Sequence, residues 1–310
     1  MLKKAINLKN NWPDFLIIFL ILILNLFWLP TFSFWQIYPK NNFITENNQI
    51  LEFSHPETPL VKLIQPPQLL TDKYILIDVD TNKVLISKNQ DSKIYPASTT
   101  KLATALTALN LYPLDEVVTI DQAYDNGKVM ELQFGEKITV KSLVTALLVY
   151  SANDSAFSLA NHYRQGLSGF IEQMNSLMVK YNLKNTHFVN PDGIHNDNHY
   201  STVYDLSQLG RLAIQNSTVR QVVRNKSMTI TDVTGKIKHE ITTTNELLDV
   251  VPEVIGLKTG LTPEAKGCFI GLLNINDHLV ISVVAQSDDR FQDTKTLISW
   301  LKQNVSWLEY

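Results

Sequence analysis

The sequence contains a single cysteine, Cys268, among 310 residues. One thiol cannot form an intramolecular disulfide, and it excludes a metal cluster built on cysteines. A cysteine-poor chain is compatible with the cytosol and equally with a bacterial exterior whose proteins do not use disulfides. The cysteine count therefore leaves the compartment open.

The chain also lacks an excess of charge of either sign, since 27 basic residues face 30 acidic ones. No basic stripe stands out, which argues against a nucleic acid partner. Internal repeats and low-complexity tracts are missing as well. With 45% hydrophobic residues, the chain has enough apolar material for a sizeable core in one or two domains.

Only one long apolar run is present, at residues 15–35, and it reads FLIIFLILILNLFWLPTFSFW. A span of about 20 apolar residues crosses the hydrocarbon core of a bilayer as a helix. Lys3, Lys4 and Lys9 precede the run, which favours a cytoplasmic N-terminus and an exported remainder.

A cleaved signal peptide is the alternative interpretation of this run. No A-x-A-like cleavage site follows it, and Trp28 and Trp35 are typical of anchors at the membrane interface. We therefore expect residues 1–36 to form an uncleaved signal-anchor. Residues 37–66, with four prolines and no sustained hydrophobic period, are expected to form a linker to a domain at 67–310.

Strand pairs are predicted near both ends of this domain. The run at 73–89 indicates a hairpin around a DTNK turn, and the run at 267–286 indicates another around an Asn-Asp turn. Helices between and after them predict an α+β domain whose antiparallel sheet comes from the two chain ends. The predicted helices lie at 98–112, in two segments within 140–163, and at 168–183, 201–215 and 291–305.

Three short motifs occur in the order STTK (98–101), SAN (151–153) and KTG (258–260). S-x-x-K, S-x-N and K-T-G together are the pattern of penicillin-binding proteins and serine β-lactamases. Each motif alone is weak, because it is compatible with a helix cap, a surface lysine or an ordinary turn. Their joint order, and their predicted places at a helix start, a helix junction and a strand, make the combination specific.

The first motif can supply a nucleophile and its base. A serine hydroxyl is a poor nucleophile until a base takes its proton. Ser98 and Lys101 are three residues apart, so they face the same side of a helix. A lysine that is buried near other cations can lose its charge and act as that base. A serine at a helix start also directs backbone N–H groups towards the reacting carbonyl.

The other two motifs can complete the site. The hydroxyl of Ser151 can relay a proton to a leaving amine, and the amide of Asn153 can hold a substrate carbonyl. Lys258 would add positive charge beside Ser151, and Thr259 could bind a substrate carboxylate. Gly260 leaves room for a peptide that lies along the edge of the strand.

Longer segments around the motifs carry a resemblance to a known family. Residues 135–156, 185–209 and 243–273 are similar to the D-alanyl-D-alanine carboxypeptidases, the low-molecular-mass penicillin-binding proteins of the S11 serine peptidase type. The resemblance covers roughly residues 70 to 302. It implies a fold of the penicillin-binding protein and serine β-lactamase type: a central antiparallel sheet flanked by helices, with a helical subdomain that carries the second motif.

The resemblance also implies residue roles. Ser98 would be the acylated nucleophile and Lys101 its base, and the oxyanion hole would use the backbone N–H groups of Ser98 and Leu261. Leu261 stands where some relatives have a polar residue, which leaves only its backbone role. Arg290 matches a position that helps to hold the terminal carboxylate of the substrate. Proton transfer and the remaining substrate contacts fall to Ser151, Asn153, Lys258, Thr259 and Gly260.

The implied substrate is a peptidoglycan stem peptide ending in D-Ala-D-Ala, with β-lactams as covalent inhibitors and neither a metal nor another cofactor. The family's setting is the bacterial cell membrane, with the catalytic domain on the extracytoplasmic side. Many members add an all-β domain and a C-terminal amphipathic anchor, for which no space remains before Tyr310. The N-terminal apolar run is expected to replace that anchor.

Four alternatives stay open from the sequence. A D,D-endopeptidase acting on cross-linked peptides would use the same acyl-enzyme. A β-lactamase needs a further base to activate water, and Glu172 is the nearest acidic candidate, although its helical stripe places it at the surface. A metal hydrolase could use His195 and His199, but these stand in an Asn/Asp/Gly-rich loop and the chain has no HExxH motif. A glycan-binding module without activity is disfavoured by the complete nucleophile–base set.

Overall fold

The computed structural model of the chain describes residues 57–62 and 65–308. No helix within these residues combines the length and the apolar character needed to cross a bilayer. The apolar run predicted as a signal-anchor, with Trp28 and Trp35, lies outside the described residues.

The centre of the fold is a five-stranded antiparallel sheet with the strand order β3-β2-β10-β9-β8. The sheet therefore joins the two ends of the domain, as the sequence predicts. Within the described residues, three two-stranded sheets accompany it, pairing β1 with β11, β4 with β5 and β6 with β7. The strands are β1 (Thr58–Val61), β2 (Lys73–Asp78), β3 (Val84–Lys88), β4 (Val117–Thr119), β5 (Lys137–Thr139), β6 (Ser227–Thr231), β7 (Lys238–Thr242), β8 (Val254–Thr262), β9 (Lys266–Ile275), β10 (His278–Ser287) and β11 (Val305–Leu308).

Helices cover both faces of the central sheet, which is why its strands are apolar on both sides. Along β2, Ile75 and Ile77 belong to the larger apolar cluster, whereas Tyr74 and Leu76 belong to a second cluster on the opposite face. The helices are α1 (Lys101–Leu111), α2 (Val140–Val149), α3 (Asn153–Asn161), α4 (Gly166–Lys180), α5 (Val203–Gln215), α6 (Ser217–Val222) and α7 (Arg290–Asn304). The second cluster lies between the sheet and α7, and the larger one holds the other helices.

The α1 helix lies at the centre of the helical part, and every residue from Lys101 to Ala108 is buried. Its alanines let α2, α3, α4 and α5 approach closely, while its leucines fill the space between them. A helix buried all round must also bury its polar residues. Lys101 is thus enclosed by the packing of the fold, which is the condition the base hypothesis requires.

The predicted hairpins and helices are confirmed, with three differences. A 3-10 turn at Ala97–Thr100 precedes α1, so Ser98 lies in this turn rather than in the helix itself. The predicted stripe on α4 is buried at Phe170, Met174, Leu177 and Met178, whereas Tyr181 lies beyond the helix and is 41% exposed. The short helix α6, the short strands β4 to β7 and the pair β1–β11 have no counterpart in the prediction.

The pair β1–β11 joins the start of the described chain to its end. Thr58 is opposite Leu308 and Val61 is opposite Val305. The indole of Trp307 stacks on His278 at 4.3 Å between ring centroids, and its Nε1 donates to Asp78 at 2.9 Å. Four residues of the segment predicted as a linker therefore belong to a strand.

Candidate active site

The 3-10 turn that carries Ser98 is built by tight local contacts. Ala97 has a positive φ of 47°, and the hydroxyl of Thr99 donates to the Pro96 carbonyl at 2.6 Å. Gly193 lies against this turn, because a Cβ placed on it would be only 2.0 Å from the Ala97 carbonyl oxygen. This close backbone contact fixes the turn and leaves Ser98 partly exposed at its surface.

Lys101 lies one turn beyond Ser98 and is fully buried, with 0% exposure. Its Nζ lies 2.9 Å from Ser98 Oγ and donates to the Asp192 carbonyl oxygen at 2.5 Å. Burial lowers the pKa of Lys101 to about 8, against the opposing charges of Asp192 and Asp154. When neutral, this amine still has hydrogens for Asp192, and its lone pair can accept the Ser98 proton.

The second motif lies at the junction of α2 and α3. Ser151 is 6% exposed and has a positive φ of 69°, an uncommon conformation for a serine. Asn153 begins α3; its backbone N–H donates to Lys128 O at 2.7 Å and its Nδ2 to Asn126 O at 2.8 Å. The helix that Asn153 begins packs against α1, and the charge of Asp154, the next residue, raises the pKa of Lys101.

The third motif lies on β8, as predicted, and its strand runs beside the Ser98 turn. A Cβ placed on Gly260 would be 3.0 Å from both Pro96 O and Ser98 N. Only a glycine therefore lets β8 approach the nucleophile turn this closely. Lys258 is 1% exposed, and its Nζ donates to Thr259 O at 3.1 Å.

The two lysines influence each other. Burial lowers the pKa of Lys258 well below its ordinary value, and the positive charges of Lys101, Lys128 and Arg290 lower it further. Two amines in one buried site cannot both keep their charge without cost. The site can thus hold a neutral base together with a positive charge for an anionic substrate group.

The remaining predicted residues surround the end of β8. The hydroxyls of Thr259 and Thr244 are hydrogen-bonded at 2.5 Å. Leu261 is 64% exposed, so its side chain has no packing role and its backbone role stays a prediction. Arg290 begins α7 and packs against Gly267, and its buried Nε has no hydrogen-bond partner among the described residues.

The two histidines of the metal-hydrolase alternative, His195 and His199, are engaged in other contacts. His199 is buried; its Nε2 lies 2.8 Å from Thr100 Oγ1 and its Nδ1 accepts from the Val189 N–H at 3.2 Å. Both ring nitrogens are therefore engaged, and burial lowers the pKa of His199 to about 3. His195 packs edge-on against Tyr95. The described part of the chain contains no group of three His, Cys, Asp or Glu residues that could hold a metal ion.

Several residues of this site were not singled out from the sequence. Asp192 and Gly193 contact the first motif, and Asp154 anchors the loop beside the second. The sequence does contain signals for these three residues. NPDG (190–193) indicates a turn, and an Asp directly after the first helical residue, as at position 154, indicates a helix start. Tyr124, which donates to the Asp192 carboxylate at 2.5 Å, gave none.

The chain is similar to a family of known proteins. A family model described as D-alanyl-D-alanine carboxypeptidase, of the S11 peptidases, matches residues 61–289. The D-alanyl-D-alanine carboxypeptidase of Streptomyces sp. (strain K15) is 35% identical over 249 residues, which cover 74% of this chain and 85% of that protein. DacF of Bacillus subtilis (strain 168), with the same description, is 31% identical over 68% of this chain and 56% of its own length.

Two further similar proteins are described differently, one as an endopeptidase and one as a DD-transpeptidase. The D-alanyl-D-alanine endopeptidase of Pseudomonas aeruginosa is 31% identical over 76% of this chain and 78% of that protein. The crystal structure of the Streptomyces K15 DD-transpeptidase matches with a TM-score of 0.72 and 32% identity, over 76% of this chain and 98% of that one. This chain, with its five-stranded antiparallel sheet and its three motifs, therefore belongs to the S11 family of D-alanyl-D-alanine carboxypeptidases.

Proposed function

We propose that this chain is a serine-type D-alanyl-D-alanine carboxypeptidase, which removes the terminal D-alanine of peptidoglycan stem peptides through an acyl-enzyme on Ser98. Membership of the family supports this activity. The observation that carries the residue assignment is the buried Lys101 amine 2.9 Å from Ser98 Oγ. Such an enzyme acts in the maturation of the cell wall and binds β-lactams covalently.

Acylation would begin when Ser98 Oγ attacks the carbonyl carbon of the penultimate D-alanine and gives its proton to neutral Lys101. The carbonyl oxygen becomes an oxyanion, for which the backbone N–H groups of Ser98 and Leu261 are the proposed donors. The C–N bond to the terminal D-alanine then breaks. Its nitrogen takes a proton through Ser151, and free D-alanine leaves an ester on Ser98.

Deacylation would repeat these steps with water in place of the leaving amine. Water gives a proton to the base, attacks the ester carbonyl, and the Ser98 oxygen recovers a proton as the shortened peptide leaves. Throughout, the peptide would lie along the edge of β8 at Gly260. The terminal carboxylate would meet the positive charge of Lys258 and Arg290 and the hydroxyl of Thr259.

Labelling with a fluorescent penicillin tests the acyl-enzyme. We expect wild type to become covalently labelled and Ser98→Ala to lose the label completely, because Ser98 carries the only hydroxyl of the described residues that is hydrogen-bonded to Lys101 Nζ. Ser176→Ala, at an exposed serine of α4, should label like wild type. Wild type that remains unlabelled, or Ser98→Ala that still labels at the same rate, would contradict the proposal.

A D,D-endopeptidase is the second candidate, because a relative described as an endopeptidase is 31% identical. Both reactions share the acyl-enzyme and differ in the amine that leaves. Mass spectrometry of purified pentapeptide monomers and cross-linked dimers separates them, since a carboxypeptidase releases D-alanine from the monomer and leaves the dimer cross-link intact. Rapid turnover of β-lactams would instead require a water-activating base, and the candidate Glu172 is exposed on α4.

We further propose that the apolar run at residues 15–35 holds the protein on the extracytoplasmic side of the cell membrane. The lysines before the run and its length support this orientation. Membrane fractions should retain the full-length protein after a carbonate wash. Recovery of a shortened, soluble protein would mean that the segment is a cleaved signal peptide.

A further inference from the structure

The mechanism above does not use the buried carboxylate of Asp192, which is 2% exposed. Its Oδ2 accepts from the Tyr124 hydroxyl at 2.5 Å and its Oδ1 accepts from the Ile194 N–H at 3.2 Å. Both partners are neutral, so neither cancels the negative charge. A buried charge that is not neutralised by its own hydrogen bonds acts on the ionisable groups around it.

The amine of Lys101 is one such group, and it contacts the backbone of Asp192, which is fixed against α1. Lys101 Nζ donates to the Asp192 carbonyl, and Thr104 Oγ1, one turn further along α1, donates to Pro191 O at 2.5 Å. Asn190 closes the turn by accepting the Gly193 N–H at 2.8 Å. This turn therefore has little freedom to move away from the helix.

We propose that Asp192 is a positioning residue that acts through Lys101: its backbone carbonyl holds the amine beside Ser98, and its buried negative charge sets the pH at which that amine becomes the base. This inference rests on the proposed acyl-enzyme mechanism. Asp192 itself takes no proton from Ser98 and does not touch the substrate. The Tyr124 hydroxyl donates a hydrogen bond to the carboxylate and fixes its position.

Other ionisable groups around Lys101 have weaker or opposite effects. Asp154 is also negative, but its carboxylate accepts backbone N–H groups of the neighbouring loop. Lys258 is buried, and its own pKa is lowered by burial and by the positive charges of Lys101, Lys128 and Arg290. His199 stays neutral at ordinary pH because burial lowers its pKa to about 3. Among the opposing charges, Asp192 contributes the largest increase to the pKa of Lys101.

The test is the pH dependence of the second-order rate of penicillin acylation, measured in wild type and Asp192→Asn. The rate should rise with pH as Lys101 loses its proton, with a midpoint at about 8 in wild type. Without the negative charge, the protonated amine is less stable. We therefore expect the midpoint of Asp192→Asn to move down by about one pH unit.

Tyr124→Phe is the matched control, because it removes the same hydrogen bond and keeps the charge. Its midpoint should stay at the wild-type value, whatever its absolute rate. An unchanged or raised midpoint in Asp192→Asn, or an equal shift in both variants, would overturn the inference. An unchanged midpoint with slower release of the acyl group would instead make Asp192 a deacylation residue.

Two measurements keep the result interpretable. Asp192→Ser provides a second neutral side chain if the asparagine variant fails to fold, as judged by thermal unfolding, and it should show the same downward shift. Labelling of Ser98 at a pH above both midpoints tests the proposed function separately. If wild type is never labelled, the proposed function fails; if labelling occurs without the shift, only the role of Asp192 fails.

Discussion

At the scale of single residues, the site depends on side chains whose chemistry is changed by where they are buried. Lys101 is 0% exposed and Lys258 is 1% exposed, although lysines are almost never fully buried. Burial lowers the pKa of both lysines, and the positive charge of Lys101 lowers that of Lys258 further. A residue type that is ordinarily a solvated cation thereby becomes available as a base.

The glycine of the third motif gives a prediction at the same scale. In Gly260→Ala, the added methyl would lie 3.0 Å from Pro96 O and Ser98 N, so β8 and the nucleophile turn must separate. A displacement of this kind misaligns attack, and we expect penicillin acylation to fall by about 100-fold. Stopped-flow or gel-based labelling kinetics measure the change.

A second glycine provides the control for crowding alone. In Gly210→Ala on α5, the methyl would lie 3.1 Å from Ile270 and 3.3 Å from Ile281, in the core away from the motifs. This variant should lose stability yet be acylated like wild type. Equal acylation rates in both variants and wild type would show that the close approach at Gly260 has no catalytic consequence.

At the scale of elements, the loop between β4 and β5 positions the second motif. Its carbonyls at Asn126 and Lys128 accept hydrogen bonds from Asn153, and its N–H groups at Met130 and Leu132 donate to the Asp154 carboxylate. The loop is also held from the other side: the ring of His239, on β7, contacts Met130 O and Glu136 Oε1, each at 2.8 Å. Asn153 is thus placed by a loop that is anchored at two points.

Asp154→Asn tests this anchoring. An amide group cannot accept the three backbone N–H bonds that the carboxylate accepts from Met130, Leu132 and Ser155. We expect a loss of about 1–3 kcal/mol in the free energy of unfolding. Urea denaturation measures the loss, and the acylation rate of the folded protein should fall by about tenfold or more because Asn153 loses its support.

Asp232→Asn is the matched control, because it makes the same substitution at another carboxylate that accepts three backbone N–H groups. The Asp232 carboxylate accepts backbone N–H groups of Thr234, Lys236 and Ile237 in the turn between β6 and β7. Its loss should destabilise that hairpin turn without changing acylation. An equal fall in the acylation rate of both variants would contradict a specific role for the loop between β4 and β5.

At the scale of the whole molecule, the two ends of the described chain close the fold together. The β1–β11 pair is held to the central sheet by Trp307, through its stack on His278 and its hydrogen bond to Asp78. On the other side, Lys83 Nζ donates to Pro59 O at 2.8 Å. This region lies at the turns of β2–β3 and β9–β10, whereas Gly260 approaches Ser98 near the opposite end of β8.

Trp307→Ala is expected to lower the free energy of unfolding by about 2 kcal/mol, since it removes an aromatic stack and a hydrogen bond together. Acylation of the folded protein should not change. Leu308→Ala, at the next and 41% exposed position of β11, should be nearly neutral in the same thermal or urea unfolding experiment. A marked loss of acylation in Trp307→Ala would contradict the separation of this pair from the site.

The sequence predicted the central sheet and the main helices because those elements have long apolar periods and clear turns. The three motifs also led to Ser98, Lys101 and Lys258, which the fold brings together. Asp192 and Tyr124 could not be located in this way, because they meet across 68 residues of sequence through a single side-chain contact. The strand β1 was missed because a segment of four residues becomes a strand only through its pairing with β11.

The pairing of β1 with β11 also has a mechanical consequence. Tension applied to the chain ahead of Thr58 acts first on the hydrogen bonds between these two strands. Only after they separate does the load pass along residues 65–72 to β2, which is the neighbour of β10 in the central sheet. The terminal pair can therefore yield under a pull while β8 and the nucleophile turn keep their alignment.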